Sequence, residues 1–83
     1  MLHLNMVNMN TAFDNISIIE VSFPKDKIEV TLSDGRSVAV PLSWFPKLSQ
    51  APDKELHLFE ISPKGYGIHW PKLDEDISIK SFI

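Results

Sequence analysis

The sequence predicts a small α+β domain, a three-stranded antiparallel meander plus a further strand, covered by one short helix. Three observations carry that class. Ile28, Val30 and Leu32, and then Val38, Val40 and Leu42, alternate with polar or small residues on either side of Asp34-Gly35, which is the period of half-buried strands joined by a tight turn. Ser43 to Ala51 sets Phe45 and Leu48, and Trp44 and Leu48, three and four residues apart, the spacing of one helix face. Leu56 to Ile61 is a second apolar run of strand length.

Taken in order, residues 1–15 are a leader, readable either as an edge strand through Leu2–Val7 or as disorder, and residues 16–83 are the single folded domain. Ile16 to Phe23 is rich in β-branched residues and reads as a strand, with Ile19, Val21 and Phe23 on one face and Glu20 and Ser22 on the other. Ile18 interrupts that alternation. Pro24-Lys25-Asp26-Lys27 is a turn, because proline presets φ and the Asp26 carboxylate can bond its own backbone. Pro41 cannot donate to a ladder, so it marks an edge or the end of the third strand. In the helix that follows, Ser43 is the expected cap, Pro46 is tolerated in the first turn, and Ala51-Pro52 ends it. Asp53-Lys54-Glu55 is a turn or one helical turn before the fourth strand, Leu56–Ile61. Ser62 to Gly67 is a loop, Ile68-His69-Trp70 a short extended piece stopped by Pro71, and Leu73–Asp76 a turn. The apolar Ile77, Ile79, Phe82 and Ile83 are expected to dock on the domain.

Size and composition restrict the function. Eighty-three residues make one domain with a thin core, and a deep substrate cavity would consume much of it. There are no cysteines, so disulfides, thiolate metal sites and cysteine nucleophiles are excluded. The first ten residues lack a basic start and a continuous apolar run, and no later stretch is long enough to span a bilayer. A cytoplasmic protein is expected, with no membrane partner. Eleven acidic residues against eight basic ones give a net charge of −3. The lysines are scattered and Arg36 is the one arginine, so no direct contact with nucleic acid is expected.

The chemistry is concentrated near the end, in Gly67-Ile68-His69-Trp70-Pro71-Lys72-Leu73-Asp74-Glu75-Asp76-Ile77-Ser78. His69 with Asp74 and Asp76 offers one nitrogen and two carboxylates, the donor set of a hard-metal site. His69 with Glu75 offers an acid–base pair. Against both stands the plainer reading, in which the acids serve capping and solubility while His69 packs beside Trp70. No phosphate loop, nucleophile elbow or His-Glu-x-x-His helix is present, and no cofactor is expected. Trp44 is read as core. Tyr66, His69, Trp70, Asp74, Glu75 and Asp76 are read as a partner-binding patch, since aromatic residues anchor interfaces and an acidic run attracts a basic partner.

At Pro41-Leu42-Ser43-Trp44-Phe45-Pro46-Lys47-Leu48, at Leu32-Ser33-Asp34-Gly35-Arg36 and at the Gly67–Ser78 segment, the chain resembles a family of short bacterial proteins, domain-of-unknown-function family 2442, over roughly residues 17–83. The resemblance implies a small α+β domain and no known activity. Some relatives continue into a helix-turn-helix-like domain; the sequence here stops at Ile83, and no DNA reader of that kind is expected. Genes of the family often sit beside another small family in arrangements like toxin–antitoxin pairs, which implies partner binding. The expectation is therefore a non-enzymatic cytoplasmic interaction domain, the neutralising member of such a pair. Its partner would be a small, basic protein or a second copy of the chain. The alternatives are a metal-dependent or acid–base enzyme centred on His69 and Asp74–Asp76, and a DNA-associated regulator that acts through a partner.

Overall fold

The computed structural model describes residues 15–83; the edge-strand reading of Leu2–Val7 lies outside them. The α+β class is observed, built as two three-stranded antiparallel sheets and a few short helical turns. The first sheet is a meander of β1 (Ile18–Ser22), β2 (Lys27–Leu32) and β3 (Ser37–Pro41), in the order β1-β2-β3. Ile28, Val30 and Leu32 on the central strand are fully enclosed, as their alternation requires, and each contributes about 1.5–3 kcal/mol by leaving water. The Asp34-Gly35 turn forms where the sequence places it. The Gly35 N–H donates to the Leu32 carbonyl and Gly35 takes φ 97°, the left-handed residue of a three-residue hairpin. Pro41 pairs opposite Lys27 on an edge strand, where its missing N–H costs nothing.

β1 departs from the expected faces. Its register slips between Ile18, opposite Leu32, and Glu20, opposite Thr31. This is a bulge with Ile19 as the extra residue. The bulge reverses parity: Ile16 and Ile18 enter the core before it, Val21 and Phe23 pack against the core after it, and Ile19 is left 59% exposed. The Ile18-Ile19 doublet that spoiled the alternation is the sequence trace of that bulge.

The single helix over Ser43–Ala51 is not formed. Leu42–Trp44 makes a 3-10 turn, Phe45 turns out of helical space (φ −126°, ψ 86°), and α1 (Pro46–Ser49) begins afterwards without a side-chain cap from Ser43. The cause is Pro46, whose ring disfavours a helical conformation in the residue before it. The break turns Leu42, Phe45 and Leu48 toward the core and leaves Trp44 63% exposed, so the core assignment of Trp44 is corrected. The fourth strand is also shorter than expected. Pro52 starts α2 (Asp53–Leu56), which absorbs Leu56 and ends at His57; only β4 (Glu60–Ile61) remains extended. It does not join the first sheet. It pairs with β5 (Gly67–Trp70), which pairs with β6 (Glu75–Ser78), making a second sheet in the order β4-β5-β6.

One core serves both sheets. Val30 and Leu32 from the first share one buried cluster with Ile68, Trp70 and Ile77 from the second, with Leu48 and Leu56 from the helices and with Ile79 and Phe82 from the C-terminal 3-10 turn. Of the apolar tail, Ile83 alone stays substantially exposed. The sheets are also joined by backbone: the Ile18 N–H donates to the Gly65 carbonyl at 2.8 Å. At Gly65 the approach is so close that a Cβ would lie 2.5 Å from the Ser17 Cβ. No helix among the described residues is long and apolar enough to cross a membrane.

Candidate functional site

The second sheet separates the chemistry of its strands by parity. In β5 and β6, Ile68 faces Ile77 across the ladder and both are buried; His69 faces Asp76, and Gly67 faces Ser78, on the opposite side. Because β4 pairs Glu60 with His69, the solvent face carries a cross-strand row of Glu60, His69 and Asp76. The row is acid, imidazole, acid. His69 Nδ1 and Asp76 Oδ1 are 2.6 Å apart, a contact that orients the ring and leaves Nε2 without a hydrogen bond among the described residues. Both side chains remain accessible, 43% and 77% respectively, so the pair is solvent-screened and worth little to stability.

The loop before β5 supplies the neighbour of this row. The Ser62 hydroxyl accepts the backbone N–H groups of Tyr66 and Gly67 at 2.9 and 3.1 Å, and the Tyr66 carbonyl accepts the Ile79 N–H at 2.7 Å. The backbone of Tyr66 is thereby fixed while its ring stands 53% exposed. Tyr66, His69, Asp76, Ser62 and Ser78, with Gly67 and the edges of Ile68 and Ile77, line an open depression of about 380 Å³. Gly67 is required there, since a Cβ would lie 2.9 Å from the Ile77 carbonyl oxygen. A second open depression of about 310 Å³ runs from His57 and Leu58 to Pro71 and Lys72.

Three of the expected patch residues, Tyr66, His69 and Asp76, are thus brought together. The other three are not. Trp70 is fully buried, so its expected place at a contact surface is corrected. Its parity on β5 sends the indole inward with Ile68, its Nε1–H donates to the Leu56 carbonyl at 2.9 Å, and its ring packs against Phe59. Asp74 sits in the Pro71–Asp74 connection with φ 52°, its carbonyl accepting from Lys47 Nζ at 3.1 Å. Glu75 pairs opposite Trp70, off the His69 row, and its carboxylate accepts the Asp76 N–H. Neither acid meets His69. Among the described residues no three His, Cys, Asp or Glu side chains converge as a metal site, so the set His69, Asp74, Asp76 is not assembled. Glu60 and Ser62 went unnoticed in the sequence. Ser62 had a signal, a hydroxyl opening a Pro-Gly loop; Glu60 had none, because only the register brings it beside His69.

The chain matches no curated protein. It is similar to a protein of unknown function from Rhodospirillum rubrum known from its crystal structure, with 29% identity, a TM-score of 0.69, and coverage of 80% of this chain and 82% of that one. At that identity and coverage the two proteins share a fold over about four fifths of each chain. Residues 18–83 match the profile of a family described as protein of unknown function, and the chain belongs to that family, DUF2442.

Proposed function

We propose that the protein is a non-enzymatic, cytoplasmic interaction domain, the neutralising member of a small two-protein pair, and that it holds a basic partner on the solvent face of its second sheet. The observation that carries this reading is the exposed Tyr66 ring beside the Glu60, His69, Asp76 row. An accessible aromatic on a fixed backbone, next to carboxylates on strands, is the composition of an interface anchor with an acidic rim. The net charge of −3 likewise favours a partner of positive charge.

An affinity pull-down from the source cell at native expression, read by mass spectrometry, tests it. A stoichiometric small basic protein is the expected result; recovery of this chain alone, at low and at physiological salt, overturns the reading. With the partner in hand, Tyr66→Ala is expected to weaken the complex by about 1–2 kcal/mol with unchanged melting. Glu60→Gln with Asp76→Asn is expected to lower the association rate and flatten its salt dependence.

The 2.6 Å contact of His69 with Asp76 favours a second reading, acid–base catalysis by the imidazole with the carboxylate as its orienter. It predicts an activity with a pH profile that His69→Gln abolishes.

A further inference from the structure

The proposed interaction face has a specific socket, and its chemistry selects one kind of side chain. We infer that the depression between Tyr66 and Asp76 takes an arginine of the protein partner. This rests on the interaction reading above and names what the face recognises.

Four features of the socket point to that occupant. Its floor is the paired backbone of Gly67, Ile68 and Ile77, kept open because Gly67 carries no side chain, a flat strand surface along which a methylene stem can lie. Asp76 lies on the wall with its carboxylate 77% accessible, and of its two oxygens Oδ1 is engaged by His69. Oδ2 has no hydrogen bond among the described residues and is free to accept. The His69 contact biases the carboxylate toward the setting in which Oδ1 faces the imidazole and Oδ2 is left to a ligand. The Tyr66 ring, also on the wall and half exposed, offers a π face to a cation. A guanidinium is planar, always charged and weakly hydrated, so it can stack on the ring while donating to Oδ2. An ammonium is a strongly hydrated point charge and gains less from the ring. An anionic ligand would meet Asp76, with Glu60 next in the row.

The socket is tested without knowing the partner. The probe is the peptide acetyl-Ala-Arg-Ala-amide, titrated into the isotope-labelled protein and followed by amide chemical shifts. Its neutral counterpart carries citrulline, which keeps the shape and removes the charge. Saturable shifts are expected at Gly67, His69, Asp76 and Ser78. Binding is expected to be about tenfold weaker for the citrulline peptide and for Asp76→Asn, the effect of one charge-assisted hydrogen bond. Tyr66→Ala should weaken it as well, with the spectrum otherwise preserved. Equal shifts with citrulline, shifts that survive Asp76→Asn, or shifts elsewhere on the surface would overturn the inference. A partner that the pull-down recovers equally well with Asp76→Asn would leave the interaction reading standing and remove this socket. Recovery of the chain alone would remove the interaction reading, while the peptide titration would still decide the socket.

Discussion

Trp70 combines the largest enclosed side chain of the molecule with a buried donor, and Leu56 satisfies the donor at the end of α2. Trp70→Ala removes both the ring and the bond, and a loss of about 3–5 kcal/mol in chemical denaturation is expected. An unchanged midpoint would contradict its place in the core. Asp34 is a surface counterpart whose effect depends on pH. The Arg36 backbone N–H, and then the Arg36 side chain, hold its carboxyl below the ordinary value of 3.8. A lowered value in the folded state means that the stabilisation is present above 3.8 and is lost as pH falls through the folded value. Asp34→Asn should therefore melt lower than the parent at neutral pH, and the gap should close in acid. A gap independent of pH would show that charge is not its source. At this scale the sequence was half legible. Apolar identity could not say which tryptophan enters the core, because Trp44 and Trp70 are separated by strand parity and by a proline break, and both are set by neighbours.

At the scale of elements, legibility followed how local the determining physics is. β2, β3 and the Asp34-Gly35 hairpin are specified by alternation and a turn with its own conformational demand, and they stand where the sequence put them. Pro46 does stand in the first turn of a helix, but it also takes Phe45 out of helical space, so the helix starts at Pro46 and does not reach back to Ser43. β1 carried its bulge in plain view as Ile18-Ile19. The pairing of Glu60 with His69 is long-range register, with no local trace. The loops allow a paired prediction. Gly35 and Gly65 both adopt positive φ, but a Cβ at Gly35 meets nothing within 4 Å while one at Gly65 meets Ser17 and the Ile18 backbone at 2.5–2.9 Å. Gly35→Ala is expected to cost about 1–2 kcal/mol, the left-handed penalty alone. Gly65→Ala adds the displacement of β1, for about 2–4 kcal/mol. Equal losses in thermal melts would mean that the contact between Gly65 and β1 does not hold the two sheets together.

For the whole molecule, the question is whether two small sheets behave as one folding unit. Neither has a core of its own. Ile28, Val30 and Leu32 of β2 belong to one buried cluster with Leu48, Leu56 and residues of the second sheet, and the row Ile61, Ile68, Ile77 belongs to or packs against the same cluster. Three strands with one apolar face are near the lower limit of independent stability, so each sheet depends on the other for burial. The Ile18 to Gly65 hydrogen bond adds a backbone link at the same seam. This matters for function, because the Glu60, His69, Asp76 row holds its geometry only while its strands are packed from behind. Ile68→Val, which trims one methylene from the second sheet, should cost about 0.5–1.5 kcal/mol and leave the protein folded. In native-state hydrogen exchange the protection of Val30 in β2 and of Trp70 in β5 should then fall by the same amount, since both amides open only with the whole domain. A loss confined to Trp70 would show that the second sheet opens by itself. The proposed interaction face would then be a separately melting unit, and the row would need something other than the shared core to order it.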